Sequence, residues 1–265
     1  MHIVRALGAR LRSWAASRWM ARAGAVLFVV SIPIALVGSN VRILFGTQQL
    51  YTFAINRYDV AAVSGIPAPE LLRATHELRA YLLGPGDLVH ITVTDDAGRV
   101  GPLFNEREVL HLRDVKHLLG RIFDLQEAAL VVALGYSALR IALGRRKGLL
   151  SVARLIWVGG TATNVAAIAV AVSAMLGFDR LFTEFHMLSF SNDFWQLDPA
   201  RDHLIQMFPL PFWEVATGLL IGMTLIESAA LALAGWWWVL HEERAAHRQP
   251  MTNRSESEPK PVRVK

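Results

Sequence analysis

Two segments of this chain hold residues that could move protons. The first is Phe104–His117, FNEREVLHLRDVKH, with six charged residues and two histidines in fourteen positions. Its spacing predicts a helix over 105–120. Val109, Leu112, Val115 and Leu119 form an apolar stripe, and Asn105 can cap the start, with Glu106 and Glu108 in the first turn. Glu108, His111 and Asp114 recur every three residues and so share a second face. Two carboxylates beside an imidazole can fix its tautomer and raise its basicity, which predicts Glu108 and Asp114 as orienting groups for His111. A charged face of this kind is otherwise simply solvated.

The second segment lies about 75 residues further on: FTEFHMLSFSNDFWQLDP, residues 182–199. Phe185 and Phe190 flank His186, and Asn192, Asp193 and Trp195 follow. Aromatic residues of this density can seat a loop at the depth of lipid headgroups. A histidine buried among them needs a polar partner, and the helix that carries His111 is the other chemically dense segment.

The remaining sequence must position these two segments. Of 265 residues 53% are hydrophobic, gathered in long blocks, which points to a membrane protein. There is no Cys, so disulfides, thiol nucleophiles and thiolate metal sites are excluded. The net charge of +5 gathers beside the apolar blocks and does not predict a nucleic-acid partner. Residues 1–22 carry five Arg and no acid, followed by a first span at 23–40, which reads as an uncleaved helix kinked at Pro33. Residues 41–126 are polar, with nine Lys/Arg and ten Asp/Glu, and include a predicted helix over 70–83 and a hairpin around 88–98. A short second span at 127–143, a basic loop at 144–154 and a third span at 155–176 follow. Residues 177–212 are polar and aromatic, 213–240 form a fourth span that ends in three Trp, and 241–265 read as a disordered basic tail. Within the fourth span, Gly218-x-x-x-Gly222 signals close helix packing, and Glu227 is an ionisable residue at membrane depth, with Asn164 or Tyr136 as possible partners. Glu127, at a span end, reads as solvated.

The fold class expected is therefore an all-α membrane protein: four transmembrane helices with a small extracytoplasmic α/β cap. Positive charge places both termini and the 144–154 loop in the cytoplasm, and the two histidine segments together outside.

The motifs NEREVLHLRDVK (105–116) and FHMLSFSNDFWQLD (185–198), each in an outer segment of a four-span chain, resemble a family of bacterial integral membrane proteins that includes the lipoprotein intramolecular transacylases. The resemblance runs from about residue 23 to 240, is strongest in these motifs, and is not carried by residues 46–97 or by the tail. It implies an inner-membrane enzyme acting on diacylated bacterial lipoproteins without a cofactor or metal. One acyl chain moves from the diacylglyceryl group of the lipidated N-terminal Cys to that residue's α-amino group, giving a lyso-form lipoprotein.

The residues suit such chemistry. An amine of pKa near ~8 must lose its proton to attack an ester, and imidazole is a suitable acceptor. His111 and His186 are the expected proton-transfer pair. Arg107, Lys116, Asn192 and Trp195 are candidate donors to an oxyanion or headgroup. Two other classes remain open from sequence: a metal-dependent membrane hydrolase, with zinc held by His111, Asp114 and His186, and a non-catalytic scaffold whose motifs staple two outer segments.

Overall fold

The computed structural model describes residues 2–247, with side chains from Trp19 to Ala245. The basic stretch before Trp19 is therefore described only as backbone; of the tail expected to be disordered, 241–247 are instead helical, and the rest, from residue 248 on, falls outside the described residues. The described chain is mostly helical. In order, the elements are α1 (His2–Gly46), α2 (Gln48–Arg57), α3 (Val60–Ser64), α4 (Ala68–Leu83), β1 (Thr92–Thr94), β2 (Val100–Pro102), α5 (Glu106–Leu176), α6 (Phe178–Ser189), α7 (His203–Met207) and α8 (Leu210–His247).

Three helices, α1, α5 and α8, are long and apolar enough to cross a membrane. α5 is not one straight rod. Arg145 leaves helical geometry at φ 46°, ψ −121°. Eight residues of straight helix would separate Arg140 from Gly148 by about 12 Å. Instead, a Cβ on Gly148 would overlap the Arg140 carbonyl oxygen, and Arg140 Nη2 donates to Ser151 Oγ at 3.1 Å. The chain thus doubles back at Arg145 into two antiparallel limbs. A turn of essentially one residue stands where a loop over 144–154 was expected. The limb after Arg145 runs about 46 Å. Folding it back brings its outer end, Leu176, level with the turn of α5 that carries Asp114.

Packing within the bundle depends on absent side chains. A Cβ on Gly160 would lie 2.7 Å from the Ser228 carbonyl oxygen and 2.8 Å from the Ala232 nitrogen. One on Gly235 would lie 2.6 Å from the Ala153 carbonyl oxygen. These glycines let the second limb of α5 approach α8 backbone to backbone, the geometry small residues permit in lipid. Gly218 and Gly222 do not serve this purpose, because both face open space. The four-residue spacing puts them on one face, but it is not the face turned toward α5.

A polar contact joins α1 to α8. Asn40 Nδ2 donates to Glu227 Oε2 at 2.9 Å and to Thr224 Oγ1 at 3.2 Å. Glu227 thus meets α1, not Asn164 or Tyr136, and Asn164 bonds the Gly160 carbonyl of its own helix. Glu127 is exposed, as expected, and pairs with Arg42 at 2.7 Å; Arg42 also donates to Gln126 Oε1 at 3.1 Å.

Above the bundle, α2, α3, α4, the hairpin, α7 and the ends of α5 and α8 enclose one apolar core, with Tyr51, Leu71, Leu78, Leu103, Leu112 and Met207 inside it. β1 and β2 pair antiparallel, Thr92 opposite Pro102, around an Asp95–Gly98 turn in which Asp95 Oδ1 accepts from the Ala97 and Arg99 N–H groups. The hairpin is tied to α4 by the Thr94 N–H, which donates to Glu70 Oε2 at 3.1 Å.

Because a Cβ at residue 160 would meet the α8 backbone at Ser228 and Ala232, Gly160→Val is expected to cost about 1–3 kcal/mol from overpacking. Its unfolding midpoint in detergent should fall, while that of Gly218→Ala should stay level or rise.

Candidate active site

The first turn of α5 is built as a reciprocal cap. Asn105 Oδ1 accepts from the Glu108 N–H at 3.1 Å, and Glu108 Oε2 accepts from the Asn105 N–H at 2.8 Å. Glu108 is only 1% exposed. Its second oxygen accepts from the Leu204 N–H at 2.6 Å, at the start of α7. Asn105 Nδ2 donates to Asp202 Oδ1 at 2.8 Å, and Asp202 Oδ2 accepts from the Asp198 N–H at 2.7 Å. Burial pushes the Glu108 carboxyl upward, against the pull of the two N–H groups that bond it. Glu108 therefore does not orient His111 as the three-residue spacing suggested. An acid at the third helical position reaches back to its own cap, and this one also holds the other outer segment. Asp202, which the sequence reading passed over, completes the joint.

His111 and His186 come together near that joint. Their ring centroids are 6.0 Å apart and the planes tilt by 35°. Each residue is 7% exposed. Phe190 meets His111 edge-on at 5.3 Å and lies 5.7 Å from His186. Phe182, Phe185 and Trp195 surround His186 at 4.2, 5.3 and 5.1 Å. α6 is amphipathic at this point, with His186 inside while Leu188 is 90% exposed.

The proton positions follow from the partners. His186 Nδ1 lies 2.7 Å from the Phe182 carbonyl oxygen, which only accepts. Nδ1 therefore carries the hydrogen, and the lone pair of neutral His186 is on Nε2. His111 Nδ1 is buried without a hydrogen-bond partner among the described residues. Burial pushes His111 down to about 4; His186 adds to the fall and Asp114 opposes it. Burial also lowers His186, against its bond to Phe182. The expected rise in His111 basicity is thus reversed. Glu108 is turned away, Asp114 Oδ2 accepts from Asn192 Nδ2 at 2.8 Å, and loss of water outweighs what attraction remains.

Most of the expected donors are already engaged. Lys116 donates to the carbonyls of Tyr81, Gly84 and Pro85 and sits 4.4 Å from the Tyr81 ring centroid, so it ties α5 to the end of α4. Trp195 Nε1 donates to the Asn192 carbonyl at 3.1 Å, and Asn192 bridges to Asp114. Arg107 donates to the Asp193 carbonyl and pairs with its carboxylate at 3.3 Å, yet its Nε is buried without a partner. Arg107 lies one helical turn before His111, on the same side of α5. Glu227 belongs to the contact between α1 and α8, apart from the histidines. Among the described residues no three His, Asp or Glu side chains gather in a metal-holding arrangement, so the zinc triad considered from sequence is not formed.

The fold is that of an α-helical integral membrane protein, and comparison with known proteins gives its class. Residues 26–213 match the profile of the family described as lipoprotein intramolecular transacylase Lit. The chain belongs to this family of membrane acyltransferases, and its activity is intramolecular acyl transfer on a lipoprotein. The membrane-integral lipoprotein intramolecular transacylase Lit from Bacillus cereus has a similar fold, with TM-score 0.68 and 22% identity over 85% of this chain and 98% of that one. A variant of the same protein with one histidine changed to arginine gives TM-score 0.67, at 22% identity over 88% of this chain and 98% of that one. The corresponding alanine variant gives 0.68, at 21% identity over 88% and 99%. No curated protein matches in sequence.

The depressed histidine makes stability pH-dependent. Between pH 6.5 and about 4 the unfolded chain binds a proton that folded His111 refuses, so stability is full above this window and falls as pH drops through it. The loss approaches roughly 3 kcal/mol for His111 alone. Thermal unfolding in detergent at pH 7 and pH 4.5 should show it, and His111→Gln should flatten the dependence.

Proposed function

We propose that this chain transfers one acyl chain from the diacylglyceryl ester of a diacylated lipoprotein to the α-amino group of its lipidated N-terminal Cys, using His111 and His186 to move the protons. The observation that carries this reading is the meeting of the two imidazoles in a member of this family. The amine nitrogen attacks the ester carbonyl carbon, the carbon–oxygen bond to glycerol breaks, and an amide forms. One proton leaves the amine and one is delivered to the glycerol oxygen. One imidazole takes the amine's proton, and that proton then passes to the glycerol oxygen, directly or by way of the other ring, so both rings end neutral as they began. Both rings are held neutral by burial, and a neutral ring has a free lone pair at the pH of the outer membrane face. The partnerless Nε of Arg107 is the best remaining donor for the oxyanion or a nearby headgroup oxygen. Nucleophile and ester belong to one molecule, so positioning supplies much of the rate, up to roughly 7–11 kcal/mol in well-oriented cases.

The same reading sets the protein in the bacterial inner membrane. α1, the two limbs of α5, and α8 are four spans, with both termini and the Arg145 turn cytoplasmic and α2–α4, the hairpin, α6 and α7 outside. The basic residues on either side of that turn support this orientation. Leu176, 84% exposed, and Leu188 extend the apolar surface of the bundle up to the histidines. The substrate then reaches the rings sideways from the outer leaflet, with its acyl chains still in lipid. Pulling them out would cost about 0.8 kcal/mol per methylene.

Mass spectrometry of a diacyl lipopeptide incubated with purified protein tests the assignment. His111→Ala and His186→Ala should each slow conversion to the lyso form by about 10²–10⁴-fold, the contribution of a general acid or base. Near-normal conversion by either variant would remove that histidine from the reaction.

A further inference from the structure

A second cluster of charge lies at the far end of the bundle and is not used by acyl transfer. Beside the Arg145 turn, α1 and the two limbs of α5 form an open cleft of about 440 Å³. Arg22, Arg140, Lys147 and Arg154 line it, and no acid does. Of the acids of α8, Glu242 holds Arg146, outside the cleft, at 2.6 Å, and Glu243 lies 3.5 Å from Arg154 at its margin. Among the described residues, Arg22, Arg140 and Lys147 pair with no carboxylate. Arg140 is held in place by its bond to Ser151, and its Nε is buried without a partner. Leaving a charged donor unbonded is costly, as is gathering like charges in one cleft, and an anion relieves both.

The other walls and the depth narrow the anion. Tyr136, Leu150 and Leu155 make one side apolar, which a free inorganic ion would not use. From His111 to Arg140 the first limb of α5 rises about 44 Å, close to the roughly 40–45 Å of a bilayer with its headgroups. Given the membrane placement proposed above, the cleft lies at headgroup level in the opposite leaflet. We propose that this cleft binds the phosphodiester headgroup of an anionic phospholipid from that leaflet, with Arg140 and Lys147 on the phosphate and the glycerol end against Tyr136 and Leu155. Basic pockets between helices on the cytoplasmic side are suited to such headgroups. A lipid held there would bridge α1 to both limbs of α5 at their turn.

Native mass spectrometry of the full chain in detergent tests this, with phosphatidylglycerol and phosphatidylcholine of matched acyl chains as probes. Phosphatidylglycerol should be retained about tenfold better, as expected for one or two cation contacts. Lys147→Gln, and Arg140→Gln with it, should remove that preference. Arg146→Gln, which removes an equal charge outside the cleft, should keep it. Equal retention of both lipids, or selectivity unchanged in Lys147→Gln, would overturn the proposal. Displacement of the lipid by equimolar inorganic phosphate would reassign the cleft to the free ion and overturn it too. Lys147 makes no side-chain bond among the described residues, so its replacement is expected to fold. The acyl-transfer reading is scored separately, because Lys147→Gln should still convert diacyl lipopeptide, while His111→Ala should fail to convert it yet keep its lipid preference.

Discussion

A single buried carboxylate fixes the register of the two segments that carry the histidines. Glu108 accepts from its own helix cap and from the Leu204 N–H in the first turn of α7, so one side chain fixes both the start of α5 and the segment that returns from α6. Hydrogen bonds to a charged acceptor are worth about 1.5–3 kcal/mol each, and a carboxylate this deeply buried requires them. Asn105–Asp202, Arg107–Asp193 and Asp114–Asn192 add further contacts between α5 and the segment from 192 to 202. The acids near the site are therefore chiefly structural. They hold the segments together, and the imidazoles between them are left dry, neutral and short of partners.

That arrangement follows from how the bundle is laid out. α5 turns sharply at Arg145, so its second limb runs back beside the first. The return brings Leu176, and after it α6, to the height of His111. The contact between histidines 75 residues apart is thus largely set by limb length, and the Glu108 joint supplies the final register. The bundle below is held by close backbone approach at Gly160 and Gly235 and by the Asn40–Glu227 contact, while its large apolar side chains face outward. In lipid, outward apolar residues incur no penalty, which explains why the larger enclosed core lies above the bundle.

Local features of this fold were readable from residue order. The helix over 70–83, the hairpin turn at Asp95–Gly98, the apolar blocks and the Asn105 cap all depend on neighbours within a few positions. The proximity of His111 and His186 was also inferred, since two unusual polar segments on one side of a membrane have few other partners. Partner choice was harder to read. Three-residue spacing put Glu108 on the face of His111 but could not show that the carboxylate turns back, although the Asn-x-x-Glu pattern was present as a capping-box signal. Lys116 was judged by charge alone, while its three carbonyl partners come from the end of a helix more than thirty residues away. Gly218 and Gly222 had the right spacing on the wrong face. The His111 shift went opposite to expectation because burial, which sequence does not reveal, exceeded the effect of nearby charge.

The central claim is that the two imidazoles act as one proton-transfer unit on a shared substrate. A double-mutant cycle on single-turnover conversion of a diacyl lipopeptide, using His111→Gln, His186→Gln and the pair, measures this directly. A functional unit predicts that the double variant is little slower than the worse single one, because either loss already disables the relay. Losses that multiply, each independent of the other, would contradict it.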